Sequence, residues 1–173
     1  MTLRIEVPEG KEPVTFVWGE MVPAIGHPAA AFSGAVYEHS TLALREFEAA
    51  RLRIAQVNGC LFCLDWRTDR AGEHVGDDFP AHVEQWRTSD ALSERERLAA
   101  EYAERYALDH HGLDDAFWSR MRTAYDDREV VELTMCLGSW LAFGRLNRVL
   151  GIDEACVLPS HAARSDPPGV AAT

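Results

Sequence analysis

No run of the 173 residues approaches the unbroken apolar length that crosses a bilayer, and no basic start followed by an apolar stretch stands between Met1 and Met21. Neither a membrane span nor an export signal is expected, and the sequence points to the cytoplasm. Basic charge is scarce: 17 Lys and Arg face 28 Asp and Glu, a formal net charge of -11. Such a field repels phosphate backbones and anionic headgroups, so neither nucleic acid nor a membrane surface is an expected partner. No apolar and polar alternation is long enough to build a sheet, and no internal repeat is present, so sheet-based and repeat architectures drop out. Cysteine is sparse too. Cys136 and Cys156 are widely scattered, which is not the disulfide framework of a small secreted domain; only Cys60 and Cys63 stand close together.

What is present has helical periodicity, and the length suits a single all-α domain of about six or seven helices with a substantial core. Pro8, Pro13 and Pro23 mark residues 1–26 as an extended N-terminal arm, in which the alternation from Thr2 to Val7 admits one short strand. Residues 27–152 form the helical domain. A first helix spans His27 to Glu38, and a second, Leu42 to Val57, stops at the turn and cap signal Asn58-Gly59. The next starts at Cys60 and carries Leu61, Phe62, Leu64 and Trp66, then Arg67, Asp69 and Arg70, before Gly72. Pro80 to Trp86 reads as a short helix with proline in its first turn. Ser93 and Glu96 make a capping box for a helix to about Leu108. Asp114 or Asp115 caps another, and Asp126 or Asp127 caps a last one to Leu150, closed by Gly151. That last helix is apolar nearly all round, as a central or interface helix is. Gly138 and Gly144 within it point to close helix approach, inside the subunit or across an interface. Residues 153–173, with Pro159, Pro167 and Pro168, form a C-terminal tail with little to bury.

Cys60 and Cys63 carry the chemistry. Residues i and i+3 on a helix share a face, with Cβ atoms roughly 5–6 Å apart, so a small adjustment brings the sulfurs within disulfide range. A helix N-terminus favours an anion and so raises the thiolate fraction that attacks. Reversible dithiol–disulfide chemistry is the leading reading. Inert buried thiols and half of a zinc site are the alternatives, but the remaining cysteines are isolated and the nearest downstream histidine is His74. No metal and no cofactor are expected.

The stretch Glu48 to Ala71, EAARLRIAQVNGCLFCLDWRTDRA, resembles the signature of the alkylhydroperoxidase D (AhpD)-like branch of the carboxymuconolactone decarboxylase family. In that signature a glutamate precedes by twelve positions a Cys-x-x-Cys that is followed, four residues on, by a histidine; Glu48, Cys60 and Cys63 match. Trp86, Ser93 to Glu96, Val130 to Thr134 and Asn147-Arg148 also look like the family's later helices, so the resemblance covers roughly residues 30–152. It implies an all-helical fold assembled as a homo-oligomer (dimer, trimer or hexamer) and an antioxidant peroxidase cycle. By analogy Cys63 attacks the terminal oxygen of a hydroperoxide substrate, the resulting sulfenic acid condenses with Cys60, and an external dithiol reduces the disulfide. The decarboxylases proper lack the cysteine pair, so the resemblance points away from decarboxylation.

Two positions depart from the signature. Arg67 stands where the relay histidine falls, and Phe62 replaces a second histidine between the cysteines. A guanidinium stays charged and stabilises an anion, whereas imidazole also takes and returns a proton. If the helices flanking Asn58-Gly59 fold back on each other, Glu48 lies roughly 15 Å and Arg67 about 12 Å from the turn at about 1.5 Å per residue. An ion pair of Glu48 with Arg67 beside the thiols is therefore expected, so the site residues are Cys60, Cys63, Glu48 and Arg67. The other reading is a non-peroxidase helical oligomer that binds a small molecule or partner, its cysteine pair redox-sensing or vestigial. Phe62, Trp66 and Trp140 are aromatic side chains of the kind that usually belong to the core.

Overall fold

The computed structural model describes residues 3–152. Among them are eight α-helices: α1 (Pro13–Phe16), α2 (Pro23–His39), α3 (Leu44–Asn58), α4 (Leu61–Asp65), α5 (Phe79–Glu84), α6 (Glu94–Leu108), α7 (Asp115–Ala124) and α8 (Asp127–Leu150). A π turn at Val17–Met21 joins α1 to α2, and a 3-10 turn at His110–Gly112 follows α6. No strand occurs among the described residues; Arg70 and Glu73 make an isolated bridge. The expected tail 153–173, with Cys156, lies outside the described residues.

The middle of the fold is α3, which packs between α6 and α8. Its Phe47, Ala50 and Ile54 meet Leu98 and Tyr102 of α6, Phe117 and Met121 of α7, and Leu133, Leu137 and Trp140 of α8. Its Ala49 and Leu52 face Phe79 and Val83 of α5, Val75 and Ala100. Truncating one of the large buried side chains of either cluster to alanine costs about 2–5 kcal/mol, so α3 is held rigidly on both sides. The C-terminal end of α3 is where the chemistry starts.

Helix ends follow local chemistry. Ser93 accepts from the Glu96 amide while the Glu96 carboxylate accepts from the Ser93 amide, the expected capping box. Asp114 caps α7, Asp126 makes a second capping box with Glu129 on α8, and Gly151 closes α8 in the left-handed conformation.

Two expectations need correction. The arm is free of helix only as far as residue 12, with a turn at Glu9–Gly10, because Pro13 and Pro23 sit in the first turns of α1 and α2, where no amide is needed, and so begin helices rather than prevent them. Glu12 caps α1 through the Val14 and Thr15 amides. The helix after Cys60 ends at Asp65 instead of continuing to Arg70, because the backbone turns extended at Trp66. Gly144 of α8 faces the Asn58 amide, which lies 2.8 Å from where a Cβ would stand, so its close approach is inside the chain.

Candidate active site

The turn from α3 to α4 is built from three adjacent residues. Gly59 adopts φ +66°, its amide bonds the Gln56 carbonyl, and the Cys60 amide bonds that of Ala55, the paired closure of a Schellman motif. Asn58 is buried and donates to the Trp140 carbonyl at 3.2 Å while accepting from Arg145 Nε at 3.2 Å, which ties the turn to α8. Cys60 then opens α4: its Sγ accepts from the Cys63 amide at 3.3 Å. Cys60 and Cys63 form a disulfide with Cα atoms 5.3 Å apart. Cys60 is 2% exposed, whereas Cys63 is half-buried and lies on the open side. With only five residues, α4 has little macrodipole, so the field at the sulfurs comes from this local amide more than from the helix.

Glu48 is fully buried, and its partner is Arg51, one turn along α3, not Arg67. The pair is bidentate: Arg51 Nε donates to Glu48 Oε1 at 2.5 Å and Nη2 to Oε2 at 2.8 Å. Thr68 donates its hydroxyl to Oε1 at 2.6 Å. The same guanidinium reaches the disulfide segment, with Nη1 donating to the Cys63 carbonyl at 2.7 Å and Nη2 to that of Trp66 at 2.8 Å, and it lies 5.0 Å from the Trp66 ring centroid. Burial works against the Arg51 charge, but the Glu48 carboxylate outweighs it and raises the guanidinium above its ordinary value. Arg67, just beyond α4, instead donates Nη1 to the carbonyls of Leu64 at 2.5 Å and Trp66 at 2.9 Å, closing the end of that helix. The expected Glu48–Arg67 ion pair is replaced because a cation three residues away on the same helix meets the carboxylate with no chain to cross.

An aromatic wall backs the pair. Tyr37 stacks edge-on to Trp66 at 5.1 Å and to Phe47 at 5.7 Å, and Trp140 meets Phe47 at 4.7 Å. Burial, partly offset by the Arg51 charge, pushes the Tyr37 phenol up to about 12. Behind it, burial and the charge of Glu132 push the Cys136 thiol up to about 12. Trp140 thus belongs to the core, and Phe62 is half-buried beside the cysteines. Among the described residues no group of three or more His, Cys, Asp or Glu could hold a metal ion, and no helix is long and apolar enough to cross a membrane.

Residues 23–105, a stretch that takes in α3 and the Cys-x-x-Cys turn, match the model of a known protein family. That family is the carboxymuconolactone decarboxylase family, which the chain resembles over just under half of its length. Among relatives within reach of sequence comparison, YnjA of Escherichia coli K12, an uncharacterized protein, is 36% identical over 101 residues, 58% of this chain and 56% of its own. YdfG of Bacillus subtilis 168, also uncharacterized, is 29% identical over 108 residues, 60% of this chain and 72% of its own. The match thus spans just over half the length of YnjA. The fold is similar to that of a solved protein of unknown function from Agrobacterium tumefaciens, described as a candidate antioxidant defence protein AhpD. The TM-score is 0.66 at 21% identity, covering 87% of this chain and 96% of that one. At that identity the likeness concerns the fold, which is all-α and AhpD-like.

Of the residues singled out from sequence, the fold brings Cys60, Cys63 and, through Arg51, Glu48 into one cluster. Arg67 lies at its edge, bonded to main chain. Arg51 and Thr68 were not anticipated. Arg51 had a legible signal, a cation at i+3 from the family glutamate; Thr68 had none, since its approach depends on where α4 ends.

Proposed function

We propose that the protein is a thiol-dependent oxidoreductase of the alkylhydroperoxidase type, cycling Cys60 and Cys63 between dithiol and disulfide. The observation that carries this is the Cys60–Cys63 bridge itself, with Cys63 on the accessible side of a turn held from α3 and α8. The Cys63 thiolate attacks the terminal oxygen of a hydroperoxide, the O–O bond breaks, and the alkoxide leaves as alcohol after taking a proton. The Cys63 sulfenic acid and the Cys60 thiol then form the disulfide and release water. An external dithiol gives two electrons and two protons to restore both thiols and is itself oxidised to a disulfide. Such a reductant pool fits a cytoplasmic location. Glu48 acts from behind the segment through Arg51, and Arg67 adds positive charge at the end of α4.

Self-association accompanies this reading. Val131, Met135, Leu146 and Val149 line the outer face of α8 and are exposed, Val149 to 66%. A second copy of the chain is the occupant that a homo-oligomer would place there.

One observation favours the second reading, a helical oligomer with a redox-sensing pair. Neither position 62 nor 67 carries a histidine, and both Glu48 oxygens are occupied by Arg51 and Thr68. The two readings part under stopped-flow oxidation of the reduced protein by hydrogen peroxide or cumene hydroperoxide, with alkylation and mass spectrometry of the peptide holding both cysteines. The enzyme reading expects disulfide formation about 100-fold or more faster than oxidation of a free thiol, the scale of positioned acid–base and electrostatic help. A rate no better than that of free thiol supports the sensor.

A further inference from the structure

Arg51 is not a residue of the Cys-x-x-Cys signature, yet it connects the buried carboxylate to the main chain of Cys63, while Thr68 meets the same carboxylate from beyond α4. Its side chain is 2% exposed, and its guanidinium spends one edge on Glu48 and further donors on the Cys63 and Trp66 carbonyls. Those two carbonyls lie at the end of α4, where the backbone turns extended at Trp66 and a helix leaves its last acceptors without partners. Arg67 also donates to the Trp66 carbonyl, so the Cys63 carbonyl is the acceptor that leans on Arg51, and a five-residue helix does not hold its shape by itself.

We infer that Arg51 is a positioning residue for the dithiol–disulfide couple, holding Cys63 at bridging distance from Cys60 by gripping the main chain of α4 from the rigid helix α3. The inference rests on the proposed cycle but not on the identity of the oxidant. Cys60 is fixed from the α3 side by its amide bond to Ala55, so Cys63 is the partner that must be held. The bridged state needs both sulfurs in one place, whereas the dithiol tolerates a looser α4. Releasing the grip therefore costs the disulfide more than the dithiol, by lowering the effective concentration of one thiol at the other. Glu48 serves by orienting and neutralising the guanidinium, a role that requires no proton transfer.

The test reads the equilibrium between the protein and graded ratios of reduced to oxidised dithiothreitol, by alkylation and mass spectrometry, for wild type, Arg51→Met, the double variant Glu48→Met with Arg51→Met, and Arg53→Met. Arg51→Met strands the Glu48 carboxylate and can fail to fold; the double variant replaces the whole ion pair with apolar side chains of similar size, a change that buried pairs commonly tolerate. Arg53, on the same helix as Arg51 but paired with Glu104 of α6, controls for the loss of an ion pair that does not touch α4. The double variant is expected to favour the dithiol about tenfold relative to wild type, about 30 mV for a two-electron couple, with Arg53→Met unchanged. A double variant with the wild-type equilibrium, or an equal shift in Arg53→Met, would overturn the inference. Because no peroxide enters this measurement, a protein inert to hydroperoxides would end the peroxidase reading and leave this result standing.

Discussion

At the scale of single residues, the buried charges choose their partners by proximity along the chain. Glu48 meets Arg51 within α3, and Arg67 is spent on the carbonyls of Leu64 and Trp66. That bears on the absent relay histidine. Placing a histidine at 67 does not free the carboxylate that a relay needs, so Arg67→His should leave the rate of peroxide-driven disulfide formation within about twofold of wild type, far below the 100-fold reach of general acid–base catalysis. A gain of tenfold or more in stopped-flow oxidation would show that an imidazole works there without Glu48. The family signature made Glu48, Cys60 and Cys63 legible as a set, and the residue that joins them was visible only as one arginine among several on a helix.

At the scale of elements, the decisive feature is the closure of α3 at Gly59. A φ of +66° suits glycine and strains any residue with a Cβ, while 3.8 Å to Arg148 Nε leaves room for the methyl group itself. Gly59→Ala should therefore destabilise the protein by about 1–2 kcal/mol, read as a lower urea midpoint at unchanged slope. The same strain sits one residue from Cys60, so the dithiothreitol equilibrium of this variant should also move toward the dithiol. Gly26 has a different reason: a Cβ there would stand 1.8 Å from the Trp18 carbonyl, where α2 crosses the π turn. Ends set by a cap were readable because the donor and acceptor lie within four residues of one another, as at Ser93 and Asp126. The end of α4 was not, because Arg51 arrives from twelve residues upstream to take the Cys63 carbonyl.

At the scale of the molecule, buried acids set the response to alkali, Tyr102 and Tyr125 among them, each raised by burial. Cys136 is raised from 9.0 and Tyr37 from 10.0, each to about 12. A raised folded-state value means stability that is complete below the unfolded pKa and falls as pH rises toward the folded one. Unfolding free energy should therefore hold to about pH 9 and then fall toward pH 12, at up to about 1.4 kcal/mol per unit for each group that ionises only in the unfolded chain. Urea titrations at stepped pH check this, with Cys136→Ala expected to delay the onset by about one unit, since the unfolded tyrosine titrates near 10. Stability independent of pH across this window would contradict the burial assigned to these groups. The outer face of α8 makes a separate prediction: sedimentation velocity should find wild type assembled and Met135→Glu, at a position 56% exposed, shifted to monomer with its helical content intact. Monomeric wild type would leave that apolar face without its proposed occupant.

Whatever acts over one turn of helix or along one periodic face could be read before folding: the all-α class, the capped starts of α6 to α8, the closure at Asn58-Gly59 and the Cys60–Cys63 pair. Hydrogen-bond caps and hydrophobic periods are local, so sequence contains both ends of each interaction. Only the packed structure decided where α4 stops, that Thr68 reaches Glu48 and how the redox segment is gripped. Each of those depends on a donor or acceptor delivered across a gap in the chain, and a buried charge settles on whichever partner the packing brings within hydrogen-bond distance.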